Sequence, residues 1–287
     1  MLTVGILASG NLGYETLVKI LKKYKVQFVL TDSKSETIIK HCKEKSIPLY
    51  KGNPRKGKGY GFVKKIEVDV IISINYLFLI EKDIIKHPKQ LIFNIHGSLL
   101  PKYRGRTPHV WAIINNENKA GITAHKIEEG CDTGNIIEQI EVPITKENTG
   151  ADILKKYAEL YYPLIEKVLI KLQNKTIKFR LQNEKEATYF GKRTPKDGQI
   201  NWDWNSLKIK NWIRAQASPY PGAFTFYKKE KIIIDKVSII KLEKSRYENG
   251  TIITLKPKVN VVTNDGVIQL EAIRDNLSIF EIFKKFN

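Results

Sequence analysis

The sequence predicts an α/β fold: a parallel, doubly wound sheet over the first part of the chain and a small antiparallel β-rich unit after it. Three observations predict it. Strongly apolar runs with little polar alternation occupy residues 2–8, 68–74 and 91–95, as strands buried on both faces should. Segments with helical spacing separate the early strands, and strands that alternate with helices wind into parallel sheets. Beyond about Gln173 the pattern changes to short strands split by Lys, Asn and Gly turns, which suits a small antiparallel barrel or sheet.

The elements follow in order. Residues 2–8 form the first strand, and Ser9-Gly10-Asn11-Leu12-Gly13 reads as a turn. Residues 14–24 carry Leu17, Val18, Ile20 and Leu21 at helical spacing. A second strand falls at 26–31, a helix at 35–45 and a short strand at 47–50. The strands at 68–74 and 91–95 come next. Residues 107–115 read as a helix with Pro108 in its first turn, where a missing N–H costs little. Residues 122–127 and 136–142 are β-rich. The longest amphipathic helix spans 151–172 and is interrupted only by Pro163. Residues 174–199 are polar, with a turn signal at Pro195-Lys196-Asp197-Gly198. One more helix, 207–217, precedes Pro219-Tyr220-Pro221-Gly222 and the strands of 223–274. The expected domains are 1–175, a linker at 176–200, and 201–287.

The 287 residues, 42% of them hydrophobic, suffice for a large domain plus a small one. No apolar run reaches the roughly 20 residues of a bilayer span, so no membrane partner is expected. The first residues read as a strand and not as a signal peptide. Cys42 and Cys131 give neither a disulfide framework nor metal-ligand spacing. A cytoplasmic setting fits. The net charge is +19, which could serve RNA or simply a solvated surface that favours anionic ligands. The lysines are scattered, and only Lys51-Gly52-Asn53-Pro54-Arg55-Lys56-Gly57-Lys58 is a dense basic run. That scattering favours the solvated surface, so a nucleic-acid partner is not expected.

The chemistry concentrates in Phe93-Asn94-Ile95-His96-Gly97-Ser98-Leu99-Leu100-Pro101-Lys102-Tyr103-Arg104-Gly105 and in Gly130-Cys131-Asp132-Thr133-Gly134. Asn94 and His96 lie two apart at the end of an apolar strand, so they face the same way. Strand ends of this kind are where open α/β sheets place ligands. Acyl transfer to an amine needs a donor for a developing oxyanion, a group to handle the amine proton, and a charge to tune the imidazole. Asn94 can donate through its amide. His96 can donate to the oxyanion or accept a proton. Asp132 can hold and polarise His96, or relay the proton through water. Singly, each residue also fits a structural role: His96 a strand end, Asp132 a turn with Thr133 and Gly134. No Gly-x-Ser-x-Gly elbow is present, so the nucleophile belongs to the substrate.

The run from Asn94 to Gly105 resembles the signature of the folate-dependent formyltransferases, and Asp132-Thr133-Gly134 resembles their catalytic aspartate segment. The similarity extends to residues 193–202, to Ile213-Arg214-Ala215 and to residues 219–224, nearly the whole chain. The resemblance implies a Rossmann-like catalytic domain with a small C-terminal β-rich, OB-like domain. It implies 10-formyltetrahydrofolate as donor, an amine acceptor, Asn94, His96 and Asp132 as catalytic residues, and no metal. Folate is expected beside Asn75, Tyr76, Leu77, Phe78 and Leu79, with Gly130 and Asp132 closing the other side. On composition alone Leu77, Phe78 and Leu79 fit either the walls of an apolar slot or the packing of the next helix.

Three acceptors are considered. The glycinamide ribonucleotide enzymes share the Ser9-Gly10-Asn11 turn, but they read His-Pro where this chain has His96-Gly97, and they end soon after the catalytic domain. The methionyl-tRNA enzymes match in length but carry a basic insertion after the second strand; here Thr31-Asp32-Ser33-Lys34-Ser35 leads straight into a helix. The sugar-nucleotide N-formyltransferases resemble the chain best, at Gly105-Arg106-Thr107-Pro108-His109-Val110-Trp111 and at Arg193-Thr194-Pro195 with Asp197-Gly198. A nucleoside diphosphate calls for Arg, Lys and helix N-termini. Ser9, Gly10, Asn11, Lys102, Tyr103, Arg104, Arg106 and His109 are therefore expected at the substrate, with Trp202 and Tyr220 able to stack on a base. Trp202 and Tyr220 could equally pack between the domains, and Arg104 could equally be a structural pair. The expected reaction is N-formylation of a 3- or 4-amino-4,6-dideoxyhexose on a dTDP or GDP carrier, for surface polysaccharide such as O-antigen. Methionyl-tRNA formylation and a non-catalytic folate or nucleotide sensor are the alternatives, and a homodimer is possible.

Overall fold

Runs of β-branched and aliphatic residues build the first sheet. Its strands are β1 (Thr3–Ala8), β2 (Lys25–Thr31), β3 (Leu49–Lys51), β4 (Val70–Ile74) and β5 (Leu91–His96). They are interleaved with helices α1 (Gly10–Leu21), α2 (Glu36–Glu44), α3 (Lys58–Val63) and α4 (Lys82–Ile85). The short pair β6 (Arg104–Gly105) and β9 (Tyr189–Phe190) forms a separate two-stranded ribbon. Helix α5 (Pro108–Ile114), strands β7 (Lys119–Lys126) and β8 (Ile136–Pro143) and helix α6 (Gly150–Gln173) complete the first part of the chain. This computed structural model describes residues 2–243, 245–274 and 280–287.

The seven-stranded sheet runs β3-β2-β1-β4-β5-β7-β8. Strands β3, β2, β1, β4 and β5 are parallel, whereas β7 runs antiparallel to β5. The wholly parallel sheet expected from the sequence is thus mixed at one side. A parallel step needs a crossover element on the sheet face. The one helix between β5 and β7, α5, belongs to the other compact unit, so β7 can simply return beside β5.

Helix α1 begins at Gly10, four residues before the expected start. The Gly10 N–H is taken by Ser35 Oγ at 2.8 Å. Gly13 lies inside the helix, and a Cβ there would meet the Ala8 Cβ at 3.1 Å and the Ile74 carbonyl oxygen at 3.4 Å. The glycines read as a turn therefore let the helix close down on β1 and β4. Helices α3 and α4 carry too few periodic residues to be legible.

The chain divides into two compact units. The first comprises Met1–Gly105, Gly121–Val142 and Lys156–Tyr189; the second comprises Arg106–Ala120, Pro143–Lys155 and Phe190–Asn287. The units interleave along the chain, unlike the linear division 1–175, 176–200 and 201–287. In the second unit, α5 packs against α7 (Ser206–Ala215), and Asn211 Nδ2 donates to Asn116 Oδ1 at 3.1 Å. The rest of that unit is an antiparallel sheet ordered β10-β11-β14-β13-β12. Its strands are β10 (Ala223–Tyr227), β11 (Glu230–Lys241), β12 (Ile252–Thr254), β13 (Asn260–Thr263) and β14 (Gly266–Ile273). Its core gathers Trp202, Tyr227, Ile234, Val261, Ile268 and Phe286. No helix of the described residues is long and apolar enough to cross a membrane.

Parallel pairing sets the carboxyl ends of three strands at one edge. Ala8 pairs with Ile74, and Ile74 with Ile95. Ser9, Asn75 and His96 therefore emerge side by side, at the edge where such sheets place chemistry.

Candidate active site

The site forms where β5, β7 and the loop after β7 meet, all within the first unit. Asn94 and His96 project from the same face of β5. The antiparallel register sets His125 opposite Asn94 and Thr123 opposite His96. Asp132 comes from the β7–β8 loop, in the left-handed region at φ 56°.

Hydrogen-bond partners assign the proton on each imidazole. His96 Nε2 lies 2.8 Å from the Tyr103 carbonyl oxygen, which can only accept. Nε2 therefore carries the proton, and in the neutral ring Nδ1 is a lone pair. That lone pair faces Asp132 Oδ2 at 3.6 Å, too long for a direct hydrogen bond. His125 Nδ1 donates to the Lys126 carbonyl oxygen at 2.9 Å, so its Nε2 accepts from Asn94 Nδ2 at 3.2 Å. Asn94 is thereby oriented with Nδ2 known, and its second N–H has no protein partner among the described residues.

Burial pushes the His96 imidazole below its ordinary value, and the Asp132 charge opposes this without cancelling it. The ring is neutral at pH 7. Burial alone would raise the Asp132 carboxyl, but the charge that the His96 imidazole gains once protonated in acid, together with His125 and the Gly105 N–H, outweighs it. The Gly105 N–H reaches Asp132 Oδ2 at 2.9 Å. Asp132 stays ionised, well below the usual carboxylate range. An anionic carboxylate, a neutral imidazole with a lone pair, and an amide N–H thus converge on one space. Together they can orient an amine, take its proton and stabilise an oxyanion.

His125 was not anticipated. Its only sequence signal is a polar ring within the apolar β7 run, and its value depends on a register that no local pattern reveals. The expected loop after β4 behaves as two faces. Leu77 and Leu79 are exposed, whereas Tyr76 and Phe78 are half-buried and meet edge-on at 5.6 Å between ring centroids. Asn75, at φ 52°, donates to the Ser9 carbonyl oxygen at 3.0 Å. Gly130 is exposed beside Cys131. Ser9 is buried, and Asn11 is exposed and bonded to Glu15 within α1.

Two expected substrate contacts are corrected. Arg104 is fully buried, and every guanidinium N–H is taken by Gln182, Glu184 or Tyr189. It is a structural cation with no N–H left for a diphosphate. Trp202 is a core residue of the second unit, stacked on Phe286 at 5.3 Å, with its Nε1–H on Thr225 Oγ1 at 2.9 Å. It has no face left for a base. Tyr103 acts through its backbone, as the acceptor from His96, and its side chain is buried. Lys102 and Arg106 are exposed. In the second unit His109 Nε2 and the Tyr220 hydroxyl lie 2.9 Å apart; burial pushes His109 down to about 4 and Tyr220 up to about 12.

The fold and the geometry of the site suit acyl transfer to an external nucleophile. Residues 15–169 match the family described as formyl transferase, and residues 192–287 match the formyl transferase C-terminal domain. The chain belongs to the formyl transferase family. It is 36% identical over 269 residues to a bifunctional polymyxin resistance protein, ArnA, of Wigglesworthia glossinidia brevipalpis. That alignment covers 87% of this chain but only 39% of the relative's length. Among solved structures, the fold is similar to WlaRD, a sugar 3N-formyl transferase crystallised with dTDP and 5-N-formyl-THF. The TM-score is 0.74 and the identity 24%, over 96% of this chain and 99% of that one. It is equally similar to an N-formyltransferase of Helicobacter canadensis in complex with folinic acid and dTDP-3-aminofucose. There the TM-score is 0.74 and the identity 24%, over 94% and 99% of the two chains.

Proposed function

We propose that this enzyme moves the formyl group of 10-formyltetrahydrofolate to the amine of an amino-dideoxyhexose carried on a nucleoside diphosphate. The observation that carries the chemistry is the lone pair on His96 Nδ1 facing an ionised Asp132, with an oriented Asn94 amide beside them. Asp132 accepts a hydrogen bond from the substrate amine and aims it. The amine nitrogen attacks the formyl carbon, and the carbonyl oxygen becomes an oxyanion that the free Asn94 N–H stabilises. His96 Nδ1 takes the proton that the new C–N bond renders acidic. The bond from the formyl carbon to the folate nitrogen then breaks, and that nitrogen leaves with a proton returned by the imidazolium. No group on the protein acts as nucleophile.

The exposed Leu77 and Leu79, beside the carboxyl edge that carries His96, suit the wall of a folate site. Asn75, Tyr76, Phe78 and Gly130 are the further folate contacts in this reading. For the acceptor, β2 ends at Thr31 and α2 begins at Glu36. The four residues between them leave no room for the basic insertion expected of a tRNA-directed enzyme. The dTDP with one structural relative and the dTDP-3-aminofucose with the other support the same reading. Lys102, Arg106, His109 and Tyr220 are the remaining candidates for the nucleotide, with Ser9, Gly10 and Asn11 at the first strand end. The product would feed surface polysaccharide from the cytoplasm, a setting that suits both substrates and two cysteines, Cys42 and Cys131, that form no disulfide.

The test is a panel of dTDP- and GDP-linked 3- and 4-amino-dideoxyhexoses, each incubated with 10-formyltetrahydrofolate, with initiator methionyl-tRNA as a parallel acceptor. We expect formylation of at least one sugar nucleotide and none of the tRNA. Formylation of the tRNA alone would overturn the assignment of the acceptor.

A further inference from the structure

We propose that Gln182 is a positioning residue for the reaction: its amide holds Asp132 in place and is itself held by the buried Arg104. The polar stretch expected to be a linker is then part of the catalytic machinery. The inference rests on the reading of Asp132 as a catalytic residue.

Asp132 sits at φ 56°. This conformation is costly for a residue with a Cβ and persists only where the surroundings over-determine it. Gln182 supplies that determination. Its Nε2 donates to the carbonyl oxygens of Asp132 and Gly134, each at 2.7 Å. An amide nitrogen has two N–H groups, so both are occupied. Its Oε1 accepts from Arg104 Nε at 3.1 Å and Nη2 at 2.8 Å. The orientation is unambiguous, because a flipped amide would set N–H against guanidinium and oxygen against carbonyl.

Arg104 has no freedom to release it. The guanidinium bridges Glu184 at 2.6 and 2.9 Å, bonds the Tyr189 hydroxyl and lies over the Tyr189 ring. The same stretch also grips the loop leaving His96. The Thr188 carbonyl oxygen accepts from the Arg104 N–H, and Thr188 Oγ1 accepts from the Tyr103 N–H, both at 2.8 Å. Tyr103 presents the carbonyl that fixes the His96 tautomer, and Gly105 donates to Asp132. Residues 182–189 therefore tie the loop carrying the carboxylate to the loop that orients the imidazole. Such ties matter because displacing a reacting group by about 1 Å can cost about a hundredfold in rate.

The experiment compares Gln182→Met, Asp132→Asn and the double variant in formyl transfer from 10-formyltetrahydrofolate to the sugar nucleotide preferred by the wild-type enzyme. We expect Gln182→Met to lower kcat about ten- to a hundredfold, with KM for both substrates within about threefold. The double variant should be no slower than Asp132→Asn alone, because Gln182 acts only through Asp132. Where Gln182→Met lowers the yield of folded protein, Glu184→Gln carries the test. It loosens Arg104 from an exposed position and should cut kcat about three- to tenfold without moving KM. Unchanged kcat in the folded variant, or losses that multiply in the double variant, would overturn the role of Gln182. Full turnover by Asp132→Asn would instead overturn the reading of Asp132.

Discussion

At the residue scale, the proposed reaction depends on a neutral imidazole placed by one carbonyl. The Tyr103 oxygen holds the proton on His96 Nε2, and burial keeps the ring uncharged. Replacing His96 with Asn should lower kcat by at least about a hundredfold. Folate affinity, measured by titration of the folate cofactor against intrinsic fluorescence, should stay within about threefold. The pH profile follows from the direction of the His96 shift. The active form is deprotonated, so kcat falls on the acid side, with its midpoint below the ordinary histidine value of 6.5. A kcat that holds level down to pH 4, or a His96→Asn variant of near-normal turnover, would remove the imidazole from the mechanism. His125 works one step back. It occupies one amide N–H of Asn94, which fixes the orientation of that side-chain amide.

At the scale of elements, the β7–β8 loop carries the charge and has little freedom. A Cβ on Gly134 would lie 1.9 Å from the Lys126 carbonyl oxygen. Gly134→Ala must therefore push the loop away from β7. We expect a loss of stability of about 1–3 kcal/mol, as for other overpacked sites, together with a fall in kcat. A melting curve and a turnover assay on the same sample check both, and an unchanged melting midpoint would contradict the packing argument.

Much at this scale was legible in the sequence. The strand ending in Asn94 and His96 was visible because apolar runs that stop at polar residues and glycine have a local cause. The carboxylate of the Asp132 loop was visible as a candidate partner for His96, and its resemblance to a longer motif strengthened that reading. His125 and Gln182 were not visible. One depends on an antiparallel register, and the other on two amide hydrogen bonds across 48 and 50 residues of chain. Arg104 and Trp202 misled because cationic and aromatic side chains look alike in sequence whether they meet a ligand or a core. Only burial tells them apart, at 0% exposure for Arg104 and 5% for Trp202.

At the scale of the whole molecule, buried titratable groups tie stability to pH. His109 is buried and its pKa falls from 6.5 to about 4. The unfolded chain binds that proton near 6.5 and the folded chain does not, so stability is complete above 6.5 and falls as pH drops toward 4. This contribution is on the order of 3 kcal/mol. His96 acts in the same direction. The depressed Asp132 also contributes stability that is lost in acid. Urea midpoints at pH 7.5, 6, 5 and 4 should decline steadily, and His109→Phe should flatten part of that decline. Equal midpoints at pH 7.5 and 4.5 would contradict the assignment.

The central claim is that Asn94, His96 and Asp132 carry a formyl group from folate to an external amine. The most direct measurement is a single-turnover reaction with formyl-labelled 10-formyltetrahydrofolate and a dTDP-linked 3- or 4-amino-dideoxyhexose. The wild-type enzyme should place the label on the sugar amine while releasing one tetrahydrofolate per label transferred, and Asp132→Asn should transfer almost none. Release of tetrahydrofolate with the label found as free formate, or equal transfer by Asp132→Asn, would contradict the account.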